Sequence, residues 1–106
     1  MKPSNKILKQ LAKAIVDLAH PKQIILFGSA ARGDMGKHSD LDLLVVMPDG
    51  VHRRDTAGKI YIGLWDFGYP KDIVVVTESD IIQYGSNPYM VIYYALKEGR
   101  EIYRAA

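Results

Sequence analysis

Apolar residues recur at spacings of three and four along the first stretch of the chain, at Ile7, Leu8, Leu11, Ile15, Leu18 and Ala19, while Lys6, Lys9, Lys13 and Asp17 fall on other faces. That period predicts an amphipathic helix over 4–19, capped by Ser4 and ended by Pro21. The pattern then changes. Residues 23–27 form a short apolar run closed by Gly28-Ser29, which suits a buried strand. Ala30, Ala31 and Arg32 favour helix, and Gly33 and Gly36 hold it to about two turns over 29–35. A second strand is predicted over 40–47, ended by the turn Pro48-Asp49-Gly50. Helical period returns over 56–66, with Ala57, Ile60, Tyr61, Leu64 and Trp65 on one broad face, weakened by Gly58 and Gly63. After Gly68-Tyr69-Pro70, residues 71–77 read as a third strand with Ile73-Val74-Val75-Val76 as its β-branched centre. Ser79 is the expected cap of a short helix over 80–84. A last helix over 89–98 is stopped by Gly99, where a left-handed residue is wanted, and 101–104 adds an edge strand. Strands interrupted by helices make the chain α/β or α+β.

Composition narrows this only a little. A length of 106 residues fits one domain over 1–106. Hydrophobic content of 48% and charged content of 25% are ordinary for a soluble globular protein. The absence of cysteine excludes disulfides and thiolate chemistry. A net charge of +2 is too small to imply direct nucleic-acid binding. No apolar run approaches the ~20 residues that span a bilayer, and Met1-Lys2-Pro3-Ser4-Asn5-Lys6 leads into an amphipathic stretch rather than a signal-peptide core. The expected setting is cytoplasmic, away from membranes. His20, His38 and His52 lack metal-ligand spacing and are expected at the surface or in turns, with His38 the one that could touch substrate. Arg53-Arg54 reads as a solvated basic step.

The chemistry concentrates in the second strand and the loop before it. Asp40 and Asp42 stand two apart at the start of an apolar strand, so their side chains share a face while Leu41, Leu43 and Val45 take the other. Two like charges so placed repel unless something neutralises them, and Mg²⁺ does so through carboxylate oxygens. Asp-x-Asp alone is equally a pair of solvated carboxylates. Aspartate is disfavoured in strands, however, and here it twice replaces an apolar residue. Gly28-Ser29 ends the preceding strand, where glycine lets backbone approach a ligand, and Arg32 follows one turn on with a guanidinium suited to phosphate. Taken alone this is a helix cap and a surface arginine. Neither the Walker pattern nor a Gly-x-Gly-x-x-Gly fingerprint is present. A third carboxylate, Asp72, opens the strand 71–77. If that strand neighbours the Asp40/Asp42 strand, all three acids reach one end of the sheet, with Val74 and Val76 on Asp72's face; the alternative is a turn aspartate after Pro70-Lys71.

Gly28-Ser29, ten intervening residues and then Asp40-Leu41-Asp42 resemble the signature of the DNA polymerase β-like nucleotidyltransferase superfamily. The runs Gly28-Ser29-Ala30-Ala31-Arg32-Gly33-Asp34 and Lys71-Asp72-Ile73-Val74-Val75-Val76-Thr77, with the ending Ile92-Tyr93-Tyr94-Ala95-Leu96-Lys97-Glu98-Gly99-Arg100-Glu101-Ile102-Tyr103, are similar to its minimal, antitoxin-type branch. The resemblance implies a mixed sheet of about four strands with helices packed on it. It implies Asp40, Asp42 and Asp72 as catalytic, metal-holding residues, and Gly28, Ser29, Arg32 and Ser39 as nucleotide-binding ones. Nothing is carried over to 51–70. The implied cofactor is Mg²⁺, two ions roughly 3.5–4 Å apart, clamping displacement at the α-phosphorus of a nucleoside triphosphate.

The implied activity is transfer of a nucleoside monophosphate, AMP from ATP, to a hydroxyl. The implied partner is a HEPN-family toxin, adenylylated and so neutralised by this chain, which is too short to carry an acceptor-binding domain of its own. The rivals are a non-catalytic toxin-binding module and a small-molecule transferase of the aminoglycoside type. Seven tyrosines occur in the chain. Tyr84, Tyr89, Tyr93 and Tyr94 gather near its end with Met90, Val91 and Ile92. Val91, Tyr94 and Ala95 are expected in the core, and the remainder could meet a partner or a second copy in a homo-oligomer.

Overall fold

The computed structural model describes residues 4–33 and 40–106. Helix α1, Asn5–Ala19, begins where the Ser4 side chain accepts a hydrogen bond from the Ile7 amide at 3.2 Å. It ends at His20 in the left-handed conformation, φ 52°, whose amide returns to the Val16 carbonyl. Leu8, Leu11, Ala12 and Ile15 are its buried stripe, as the period predicts. There follow β1 (Gln23–Phe27), α2 (Ser29–Arg32), β2 (Leu41–Met47), α3 (Arg53–Gly63), β3 (Lys71–Thr77), α4 (Glu78–Tyr84), α5 (Val91–Glu98) and β4 (Arg100–Arg104).

The four strands form one mixed sheet in the order β3-β2-β1-β4. β1 runs antiparallel to β2 and β4, while β2 and β3 run parallel. The parallel pair is joined through α3, the connection such a pair requires. Period-two alternation divides the side chains between two layers. Leu41, Leu43, Val45 and Met47 of β2 join Ile73 and Val75 of β3 in a core with α1 and with Ile60 and Leu64. Leu44 and Val46 pack with Ile25, Val76, Ile92 and Ala95 on the face covered by α5. Both faces of β2 are therefore occupied, which explains its near-continuous apolar run.

Several element ends differ from the sequence reading. α2 is a single turn, closed by Gly33 at φ 81°. α3 starts earlier, at Arg53, because His52 accepts a hydrogen bond from the Asp55 amide through Nδ1 at 3.2 Å. It also stops at Gly63, so Trp65 lies beyond the helix and is 82% exposed rather than on a core face. The cap of α4 is Thr77, in a reciprocal capping box with Asp80. Ser79 instead donates from its amide to Asp49, at 2.9 Å.

Arg53 is exposed, as a solvated basic step requires, and is also paired: its guanidinium grips Asp80 with two hydrogen bonds, at 2.7 and 2.8 Å. Asp80 is one of the few buried polar residues, and this pairing holds its carboxyl down at about 2. α5 starts at Val91 rather than 89, and Ile92 and Ala95 are its buried residues, while Val91 and Tyr94 are largely exposed. Gly99 is extended (φ −79°, ψ 167°), not left-handed. Space demands it: a Cβ there would run into the Ala95 carbonyl oxygen and the Ile25 side chain, with the Leu26 carbonyl oxygen 3.0 Å away. No helix among the described residues is long and apolar enough to cross a membrane.

Candidate active site

Antiparallel β1 delivers its C-terminal end to the same edge of the sheet at which parallel β2 and β3 begin. Register then brings together groups far apart in the chain: Phe27 opposes Asp42, and Asp42 opposes Asp72. Gly28 follows Phe27 directly, at φ 71°, and a Cβ on it would collide with an Asp42 carboxylate oxygen. Glycine is needed twice over here, for a left-handed backbone and for the absence of a side chain against the acid.

Asp42 lies on the face of Leu44 and Val46, and Asp72 on the face of Val74 and Val76. The two carboxylates thus share one surface, opposite the face that α1 and α3 cover. Asp40, exposed, precedes the first residue of β2. Partial burial raises the Asp42 pKa above the ordinary carboxylate value; the charges of Asp72 and then Asp40 add to this, and Arg32 opposes it. Asp42 is therefore within electrostatic reach of both other acids, and of Arg32, whose charge opposes theirs at this carboxyl. Arg32 ends α2, and its guanidinium comes within 3.9 Å of Glu98 on α5. Ser29 opens α2 and is half-buried. Ser39 and His38 lie outside the described residues.

Tyr61 belongs to this site and was not singled out from the sequence, where it counts as one more apolar position on a helix face. Its hydroxyl accepts from the Ile73 amide at 2.7 Å and lies 3.3 Å from Asp72 Oδ1. Burial above all, and the Asp72 and Asp40 charges, raise the pKa of its phenol against the opposing Ile73 amide. A residue that joins the edge of a strand to a helix from a different part of the chain leaves no local trace in sequence.

The donor set can be tested against a divalent cation. Among the described residues, no three acidic or histidine side chains gather tightly enough to hold an ion as they stand. The chemistry nevertheless fits: hard carboxylate oxygens suit Mg²⁺, and the mutual repulsion that raises Asp42 is what a cation would relieve.

A glycine-closed strand end beside two register-paired aspartates on a mixed sheet is the arrangement of a nucleotidyl-transfer domain. The chain belongs to the nucleotidyltransferase domain family, which it matches over residues 8–100. No curated protein sequence is matched. Among solved structures, one described as a nucleotidyltransferase from Sulfolobus solfataricus is similar at a TM-score of 0.64 and 18% identity, covering 94% of this chain and 79% of that one. The toxin–antitoxin MntA–HpeT, in a mutant with two aspartates changed to glutamate, is similar at a TM-score of 0.59 and 19% identity, covering 92% of this chain and 73% of that one. A toxin–antitoxin structure with AMP-PNP gives 0.56 and 19%, with the same coverage. At these identities the likeness is one of fold.

Proposed function

We propose that the chain is a Mg²⁺-dependent adenylyltransferase that moves AMP from ATP to a hydroxyl on a separate protein, and that it acts in the cytoplasm as the antitoxin of a HEPN-family toxin. The observation that carries this reading is the pairing of Asp42 with Asp72 across parallel strands, with Gly28 pressed against Asp42. The likeness of fold to toxin–antitoxin structures, one of them holding AMP-PNP, supports the nucleotide and the setting. The two aspartates altered in one of those structures stand two positions apart, as Asp40 and Asp42 do here.

In this reading the Gly28-Ser29 backbone and hydroxyl receive the triphosphate, Arg32 pairs with its oxygens, and Ser39 lies alongside. Asp40, Asp42 and Asp72 would hold Mg²⁺, two ions at full loading, whose charge stabilises the phosphates and the departing pyrophosphate. Asp72 takes the proton of the acceptor hydroxyl. The acceptor oxygen bonds to the α-phosphorus as the bond from that phosphorus to the pyrophosphate oxygen breaks, so the products are an AMP ester and pyrophosphate. The protein's own work is to align the groups and to keep the carboxylates ionised.

The acceptor comes from outside. A groove of about 400 Å³ lies on the face that carries Asp72, lined by Val74, Val76, Tyr84, Met90, Val91 and Ile92 together with the Arg53–Asp80 ion pair. Tyr89, Val91 and Tyr94 are exposed nearby. Apolar and aromatic side chains so placed support a protein partner.

The test is incubation with α-labelled ATP, Mg²⁺ and the protein encoded beside this one, followed by detection of label on protein. Label that is lost when Asp40→Ala and Asp42→Ala are combined supports the reading. Label that persists in that variant overturns the site. Tight stoichiometric binding without label points to a non-catalytic module instead.

A further inference from the structure

Tyr61 reaches Asp72 from an unexpected direction. α3 packs on the sheet face opposite Asp72, through Ile60 and Leu64. β3 is an edge strand, so alternate amides of its backbone point away from the sheet. The Tyr61 side chain passes round this edge and accepts the Ile73 amide proton at 2.7 Å. An amide can only donate, so the phenol proton remains available, and Asp72 Oδ1 stands 3.3 Å from the same oxygen. Among the described residues Tyr61 is the one side chain hydrogen-bonded to Asp72. Asp72 itself is exposed and opens a strand, a place where little else restrains its rotamer.

We infer that Tyr61 is a positioning residue for Asp72: anchored by the Ile73 amide, its hydroxyl fixes one carboxylate oxygen and leaves the other to face the nucleotide site. The inference rests on the proposed function, which gives Asp72 its role. A 3.3 Å separation is long for an O–H···O bond, and such contacts tighten when a site is loaded. Partners that orient metal-holding carboxylates commonly contribute about 10–100-fold in affinity or activity.

Tyr61→Phe keeps the ring and removes both hydrogen bonds. O-methyltyrosine at position 61 keeps the acceptor for the Ile73 amide and removes only the proton offered to Asp72. Both variants are expected to lower kcat for label transfer about 10-fold with KM for ATP within about twofold. Both are also expected to weaken Mn²⁺ binding, read by electron paramagnetic resonance, by about 10-fold. In an Asp72→Asn background Tyr61→Phe should change Mn²⁺ affinity less than about twofold, because the group it acts through has gone. An equal loss in both backgrounds would reduce Tyr61 to a structural residue and overturn the inference. So would normal Mn²⁺ affinity and kcat in both variants. A wild-type chain that neither binds Mn²⁺ nor transfers label overturns the proposed function itself, and the inference with it.

Discussion

Asp42 and Asp72 are register partners on adjacent parallel strands, thirty positions apart in the chain and side by side on one face of the sheet. The Asp72 charge adds to the cost of ionising Asp42 unless a cation lies between them. The strain has a direction that can be measured. The folded Asp42 has a raised pKa, so its ionised form is worse off folded than unfolded, and stability is lost as pH rises through that titration. Asp42→Asn is therefore expected to stabilise the chain at neutral pH without divalent ions. The gain is read as a higher Tm for Asp42→Asn than for the wild type in the absence of divalent ions. Mg²⁺ should raise Tm of the wild type and leave that of Asp42→Asn almost unmoved, while transfer falls by at least about 1,000-fold. Scanning calorimetry with and without Mg²⁺ checks the first two; label transfer checks the third.

Gly28→Ala places a methyl against the Asp42 carboxylate at a positive φ. The backbone conformation alone, φ 71° and ψ −153°, costs about 1–3 kcal/mol for a residue with a side chain, and the displaced carboxylate adds a loss of nucleotide transfer. Urea denaturation should report the first, with ATP-dependent label transfer down at least about 10-fold. A variant of unchanged stability would mean that the loop simply relaxes.

The Arg53–Asp80 pair lines the groove at the far end of β3 from Asp72, and its effect on folding is read on the isolated chain. The Asp80 pKa is lowered to about 2 from an ordinary 3.8. Its contribution is present above pH 4 and is lost as pH falls from about 4 towards 2. Arg53→Ala should lower stability at neutral pH and shrink that acid-side loss, measured as denaturation midpoints across pH 2–6.

Gly99→Ala asks whether space or conformation chose glycine. Its backbone is one that any residue can adopt, so the expected cost, about 1–3 kcal/mol, comes only from crowding the Ala95 and Leu26 carbonyls and the Ile25 side chain. Ile25→Ala removes the Cγ2 methyl that faces Gly99, so Gly99→Ala should cost less in that background if the Ile25 contact matters, as a double-mutant cycle on Tm would report.

The periodicities carried the architecture. The spacing of Leu8, Leu11 and Ile15 set α1, and the β-branched run Ile73 to Val76 set β3, because burial of one face or of both imposes its period directly on the chain. What local pattern could not carry was element ends. Thr77 rather than Ser79 caps α4 because Ser79 is bound by Asp49. Trp65 is exposed because α3 ends before reaching it. The first depends on a partner thirty positions away, which no local pattern contains.

By itself, then, the sequence determined that a glycine-closed strand, a single basic turn and an apolar strand opened by two aspartates succeed one another, since those features follow from residue type and spacing of two along a pleated chain. Only the tertiary structure decided that β2 and β3 are parallel neighbours in the register that sets Asp42 against Asp72, that Gly28 touches Asp42, and that Tyr61 comes round the sheet edge to Asp72. Ile60 and Leu64, from the connection between these strands, pack in one core with Leu43, Val45, Ile73 and Val75, and register is specified where such a face is buried. That packing is a property of the assembled core rather than of any one stretch.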